Sequence, residues 1–176
     1  MSEDQAVSLL NLIGLQTQSI QKNLYRGSRD GFSASSFHSK CDNKTGTLTI
    51  IKSTNGNIFG GFTTQNWFTN YPQFKSDSSA YIFSLINLNN NPSKFKIKPN
   101  SASNAIFVSP TIGPTFGFGF DIFIATQSNK AKASWSVLGS TYQLPLNFPV
   151  GSVTTFLAGT PYFQTSEVEV YLIKRN

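Results

Sequence analysis

The chain has 176 residues, a formal net charge of +6, one cysteine and one histidine. That length suits one domain, large enough to bury roughly 70% of its unfolded surface. A single cysteine closes no internal disulfide, and with one histidine it falls short of the four ligands of a structural zinc site. Eight carboxylates scattered over the whole chain argue against a calcium or magnesium cage, so no metal and no cofactor are expected.

Charged residues make up only 12% of the chain, against about 25% in an average soluble domain. Aromatic residues reach 14%, with 16 phenylalanines, and Ser, Thr and Asn supply most of the polar surface. Such a composition favours a β-rich globular domain over a helical bundle or a disordered chain. The basic excess would suit an acidic partner, but it is spread thinly and serves solubility first.

The opening Met-Ser-Glu-Asp-Gln is acidic and lacks the basic start of a signal peptide, and no apolar run approaches the ~20 residues of a membrane span. A cytoplasmic location is therefore expected.

In chain order, Ser2 and Gln5 form a capping box before Ala6, Leu9, Leu10 and Ile13, spaced as one helical face. Gly14 is placed to end that helix, and a polar connector, Gln16 to Asn23, follows. A second short helix starts at Ser33, with Phe37 and Cys41 on one face and Asp42-Asn43-Lys44 as its exit turn. Asn55-Gly56 predicts a two-residue hairpin turn between strands at 48–53 and 58–63. That register sets Ile50 opposite Gly61, with Leu48, Ile50 and Phe59 on one face and Ile51, Ile58 and Phe62 on the other. Both faces are apolar, so one needs a helical cover and the other a second sheet. Further strands are predicted at 80–87, 94–98, 105–109, 119–125, 152–157 and 167–173, separated by turn-formers. Short strands so punctuated suggest a sandwich or barrel.

Four constellations could carry chemistry. Gly117-Phe118-Gly119-Phe120-Asp121 lacks the third glycine of a dinucleotide loop and reads as part of a core strand, with Phe116, Phe118, Phe120, Ile122 and Ile124 on one face. His38 and Cys41 lie three apart, where an imidazolium could activate a thiol, although Phe37 beside Cys41 favours a buried one. Lys94, Lys96 and Lys98 alternate with Phe95 and Ile97, which suits either an anion or membrane contact or an edge strand protected from pairing. Arg26, Arg29 and Asp30 face, across the chain's length, Glu167 and Glu169 on one face of a late strand; ion pairing between them would tie the ends together. Scarce arginine and aromatics assigned to the core give no expectation of a nucleic-acid partner.

Leu24-Tyr25-Arg26-Gly27-Ser28-Arg29-Asp30-Gly31-Phe32-Ser33, then Phe37-His38-Ser39-Lys40-Cys41-Asp42, Leu48 to Lys52 and Ile58-Phe59-Gly60-Gly61-Phe62-Thr63 resemble the TLDc domain in order and spacing. The likeness continues through Trp67, Phe83-Ser84-Leu85, Phe116-Gly117-Phe118-Gly119, Thr155-Phe156, Phe163 and Val168-Glu169-Val170-Tyr171. The resemblance implies a mainly β fold with flanking α: a two-sheet antiparallel β-sandwich covered by short helices. Residues 1–23 would be an N-terminal helix and connector packed on a TLDc domain of residues 24–176. It implies a non-catalytic protein-interaction domain that binds and modulates the vacuolar proton-pumping ATPase and is linked to oxidative-stress resistance. Such a protein would be cytoplasmic, peripheral to endolysosomal or vacuolar membranes. Arg26, Arg29, Asp30 and Glu169 would form the charged cluster supporting the partner site, with Gly60, Gly61 and Trp67 shaping the adjoining surface. Two alternatives stand beside this reading: a thiol-dependent antioxidant or hydrolase using Cys41, and a peripheral membrane or trafficking adaptor using the basic strand.

Overall fold

The computed structural model describes residues 1–174. Helix α1 (Glu3–Ile13) starts and stops where its sequence signals stand. Ser2 Oγ accepts from the Gln5 amide, the Gln5 side chain accepts from the Ser2 amide, and Gly14 ends the helix at φ 75°. A one-turn α2 (Gly27–Asp30) and α3 (Ala34–Cys41) follow; Ser33 caps α3 by accepting from the Ser36 amide at 3.0 Å.

Among the described residues, twelve strands form two six-stranded antiparallel sheets. One sheet holds β1 (Ile20–Arg26), β2 (Thr47–Ser53), β3 (Ile58–Thr63), β5 (Tyr81–Ile86), β6 (Ser93–Lys96) and β12 (Thr165–Ile173). The other holds β4 (Gln73–Lys75), β7 (Ile106–Val108), β8 (Thr115–Phe116), β9 (Ile122–Phe123), β10 (Ser134–Trp135) and β11 (Tyr162–Phe163). The spatial orders are β1-β12-β2-β3-β5-β6 and β11-β10-β9-β8-β7-β4. Ile51, Phe59, Val168 and Val170 meet Ile106, Phe116, Ile122 and Phe163 between the sheets. On the far side of the first sheet, Leu48, Ile50, Ile58, Phe62 and Phe83 lie under Leu9 and Ile13 of α1. The β2–β3 hairpin is thus covered by a sheet on one side and a helix on the other, as its two apolar faces require.

The hairpin register differs from the two-residue expectation. Ile50 pairs with Gly60 and Ile51 with Phe59, because the loop has three residues, Thr54-Asn55-Gly56, with Gly56 at φ 89°. The Ser53 amide donates to Asn57 O at 3.0 Å and closes it. One residue of shift exchanges faces: Phe59 joins the inter-sheet core and Ile58 and Phe62 go beneath α1.

Three other expectations need correction. β1 begins inside the polar connector, and the alternation rule misses it because irregularities between Ile20 and Lys22 and between Asn23 and Tyr25 break its phase, leaving Leu24 and Tyr25 both buried. The strand expected at 152–157 is instead a helical turn, in which Phe156 N donates to Ser152 O and Gly159 N to Thr155 O. The strand expected at 119–125 shrinks to β9, because Gly117, Gly119 and Phe120 all have positive φ. Phe116, Ile122 and Ile124 stay buried, while Phe118 is 60% exposed, so the five do not share a face.

Candidate functional site

The charged cluster is built where β1 ends against β12. Register places Arg26 opposite Glu169, and the Arg26 guanidinium lies 3.0 Å from Glu167 and 3.8 Å from Glu169. Glu167 also accepts from the amide and hydroxyl of Ser28, anchoring the first turn of α2. Asp30 accepts from the Arg26 amide at 2.9 Å and holds Arg29 by a two-point contact at 2.7 and 3.0 Å. Hydrogen bonding from Arg29, opposed by burial and helped by the Arg26 amide, lowers the Asp30 pKa to about 2. Burial pushes the Glu167 carboxyl up, but Ser28 and Arg26 outweigh it and the net shift is downward. Both guanidinium groups remain about half exposed, whereas their carboxylate partners are mostly buried.

Gly60, Gly61 and Trp67 do not adjoin this cluster as surface. A Cβ on Gly60 would stand 1.9 Å from Thr49 O, and one on Gly61 would stand 2.7 Å from the Phe116 ring. Trp67 is 1% exposed, donates to Thr47 Oγ1 at 3.0 Å and packs edge-on against Phe37 and Phe116. The glycines let the Thr49 backbone and the Phe116 ring approach closely, and the tryptophan packs against the far side of that core through Phe37 and Phe116.

The thiol constellation is also structural. Cys41 is fully buried, and desolvation, aided by Asp42 and Asp30, pushes its pKa well upward, away from a reactive thiolate. His38 spends both ring nitrogens elsewhere: Nδ1 meets Asp42 at 2.7 Å and Nε2 lies near the carbonyls of Ser109 and Ile112.

The three lysines do not act as one face. Lys94 Nζ donates to Ile13 O at 2.7 Å, closing the C-terminus of α1, and sits 4.0 Å over the Tyr81 ring. Lys98 Nζ donates to Gly139 O, and Lys96 alone of the three is exposed. β6 ends the sheet, and from Lys96 to Lys98 its outer edge is covered by the chain itself, where Gln143 N donates to Lys96 O and Lys98 N to Thr141 O.

The outer face of the second sheet carries a row of aromatic rings. Cross-strand pairing aligns Phe74 with Phe107, Phe123 with Trp135, and Trp135 with Tyr162. Phe120, turned outward by its φ of 63°, bridges the gap with centroids 5.4 Å from both Phe107 and Phe123. Phe123 and Trp135 stack at 3.9 Å, and Phe118 joins at 5.7 Å from Phe74. The row crosses all six strands, about 24 Å at ~4.8 Å per inter-strand step. Its members are half-buried, with Phe118 and Tyr162 at 60% and 62% exposure. Asp121 braces the row from below. Its buried carboxylate accepts from the Gly139 and Thr141 amides and occupies the space a Cβ on Gly117 would need. Desolvation, only partly offset by those amides, raises its pKa to about 6.

Among the described residues, no three His, Cys, Asp or Glu side chains gather closely enough to hold a metal, and no helix is long and apolar enough to cross a membrane. The family model for the TLDc domain matches residues 1–174. The chain belongs to the TLDc domain family. A segment of 45 residues is 42% identical to the MTOR-associated protein MEAK7 of Danio rerio. That segment covers 26% of this chain and 10% of the relative's length. TLDc membership supports a non-catalytic, protein-interaction domain in general.

Two parts of this TLDc domain lay outside the sequence reading of the site. Glu167, not Glu169, is the nearer partner of Arg26 and the anchor of α2; spacing alone could not rank two glutamates on one face. Periodicity marks apolar residues without telling which side of a sheet is covered, so the outward rings read as core in the sequence. Positive-φ residues around Phe118 and Phe120 were the missing signal.

Proposed function

We propose that this TLDc domain works by docking on another protein through the outer aromatic row of its second sheet, and that the partner is the vacuolar proton-pumping ATPase. The carrying observation is the contiguous, partly buried row from Phe74 to Tyr162, with Phe118 and Tyr162 as its exposed rings. Contiguous apolar surface of this kind marks interaction sites, and aromatic residues are enriched in the energetic centres of interfaces. The pump as partner, and the link to oxidative-stress resistance, rest on the family resemblance. Binding one assembly state of the pump more tightly than another would shift their populations. The half-exposed Arg26 and Arg29 guanidinium groups, held by Asp30, Glu167 and Glu169 away from the row, would supply a separate polar contact or brace the ends of the chain.

The test is capture of purified pump subunits, with and without ATP, by the wild-type protein and by a Phe118→Ser/Tyr162→Ser double variant. Both rings are already exposed, so the melting temperature should hold while capture falls at least about tenfold. Retention of the subunits by the double variant would remove the row from the interface, and no capture by the wild type would remove the pump.

A further inference from the structure

A groove of about 450 Å³ opens where the end of α1 overhangs the first sheet. Its apolar lining comes from Ile13, Leu15, Phe62, Ile97 and Ile173, drawn from the helix end and from both early and late parts of the chain. Lys94 and Lys96 border it, with Ser78 and Ser79 also in the lining. Beyond the same two lysines lies a shallower concavity formed with Gln143, Leu144, Pro145 and Leu146.

The charge at this border is one-sided. Among the described residues, the ion pairs involve Arg26, Arg29 and His38, and neither Lys94 nor Lys96 has a carboxylate partner. Lys94 is held in place by Ile13 O and the Tyr81 ring, so it is pre-positioned but not neutralised. Burial, and then the neighbouring Lys96 charge, lowers its pKa, as expected of a cation lacking an anion. The groove therefore joins an apolar floor to a cationic border, at a volume typical of small-molecule sites.

We propose that this groove binds a single-chain anionic amphiphile, its acidic head at Lys94 and Lys96 and its hydrocarbon body on Ile13, Leu15, Ile97 and Ile173. An extended peptide fits less well, because the chain has already covered that part of the strand edge. Gln143 N donates to Lys96 O at 2.8 Å, and Ile97 bridges to Tyr142. A ligand here must bind through side chains, which suits a hydrocarbon with a charged end. Because α1 and the sheet both line the groove, occupancy would fasten the helix to the sheet. This site is separate from the aromatic row and does not depend on pump binding.

The experiment uses the whole chain and dodecanoate below its micelle concentration, followed by titration calorimetry and thermal melting. Saturable one-to-one binding and a raised melting temperature are expected. Dodecanol, of equal chain length without the charge, should bind at least about tenfold more weakly. Lys96→Glu should weaken dodecanoate by a similar factor while leaving the unliganded melting temperature unchanged, since Lys96 is exposed. Ser79→Trp should block the groove; if that variant misfolds, the charge reversal still decides. Equal binding of dodecanol, indifference to Lys96→Glu, or no saturable binding would overturn the assignment. Lys96-dependent sedimentation with phosphatidylserine vesicles, without competition by dodecanoate, would make the border a membrane contact and also overturn it.

Discussion

A methyl group on Gly60 would collide with the Thr49 carbonyl at 1.9 Å, and backbone cannot swing aside as a side chain can. Gly60→Ala should therefore cost more than about 3 kcal/mol in urea unfolding, or abolish soluble expression. Cys41 shows a different residue-scale constraint. With the thiol buried and held neutral, its reaction with a thiol reagent should track unfolding, and Cys41→Ser should leave any peroxide consumption unchanged. Fast labelling of the native protein would reopen the redox reading. Asp121 makes a third case, with its pKa raised by burial from 3.8 to about 6. A carboxyl with a raised folded pKa binds more protons folded than unfolded, so its contribution is present at low pH and lost as pH rises through that window. About 3 kcal/mol should disappear across it, and Asp121→Asn should flatten the slope.

Elements show how local signals compete with their surroundings. The capping box and Gly14 specify α1 locally, yet the helix persists because Leu9 and Ile13 are buried on the sheet. Removing residues 1–15 would expose Leu48, Ile50, Phe62 and Phe83, and the expected outcome is an aggregating chain by light scattering, not a soluble shorter domain. The β1–α2 corner depends on partners 141 residues away: Glu167 satisfies the Ser28 amide and hydroxyl as well as Arg26. Glu167→Ala should destabilise by about 2 kcal/mol, more than Arg29→Ala, whose pair with Asp30 is exposed and screened by solvent. If Arg29→Ala loses pump binding with unchanged melting, Arg29 belongs to the interface; a parallel fall in both makes it a brace.

At the scale of the whole molecule, the first sheet is insulated on both faces and the second on one. The first has α1 over one side and its partner sheet on the other, whereas the second presents its aromatic row outward. Charges follow a similar division. The short acidic and basic pairs close the ends of the chain at β1 and β12, while the lysines of β6, at the opposite edge of the same sheet, have no carboxylate partner among the described residues. The acid limb of stability belongs to the paired end. Asp30 and Glu167 have lowered folded pKa values, so their contribution is present above the ordinary carboxylate range and is lost as pH falls towards about 2. Asp30→Asn should reduce that acid-side loss without altering the opposite slope due to Asp121, as followed by urea midpoints across pH.

Local chemistry written in the sequence determined the two capped helices, the hairpin, the inward run of β12 and the family itself, because each depends on residues close in the chain or on an ordered series of motifs. What lay beyond it were decisions taken between distant segments. The three-residue loop moved Phe59 to the other face, since a strand's side chains alternate and a single step reverses them all. The irregularities in β1 hid a strand, and the turns at Gly117 and Gly119 sent Phe118 and Phe120 outward. Glycines and a tryptophan in family motifs proved to be core because close sheet contact, invisible in spacing, claims them. The +6 charge and the phenylalanine-rich composition were plain from the start. Only the tertiary structure divided those phenylalanines between a sealed core and an open face, because burial depends on which sheet faces find a cover.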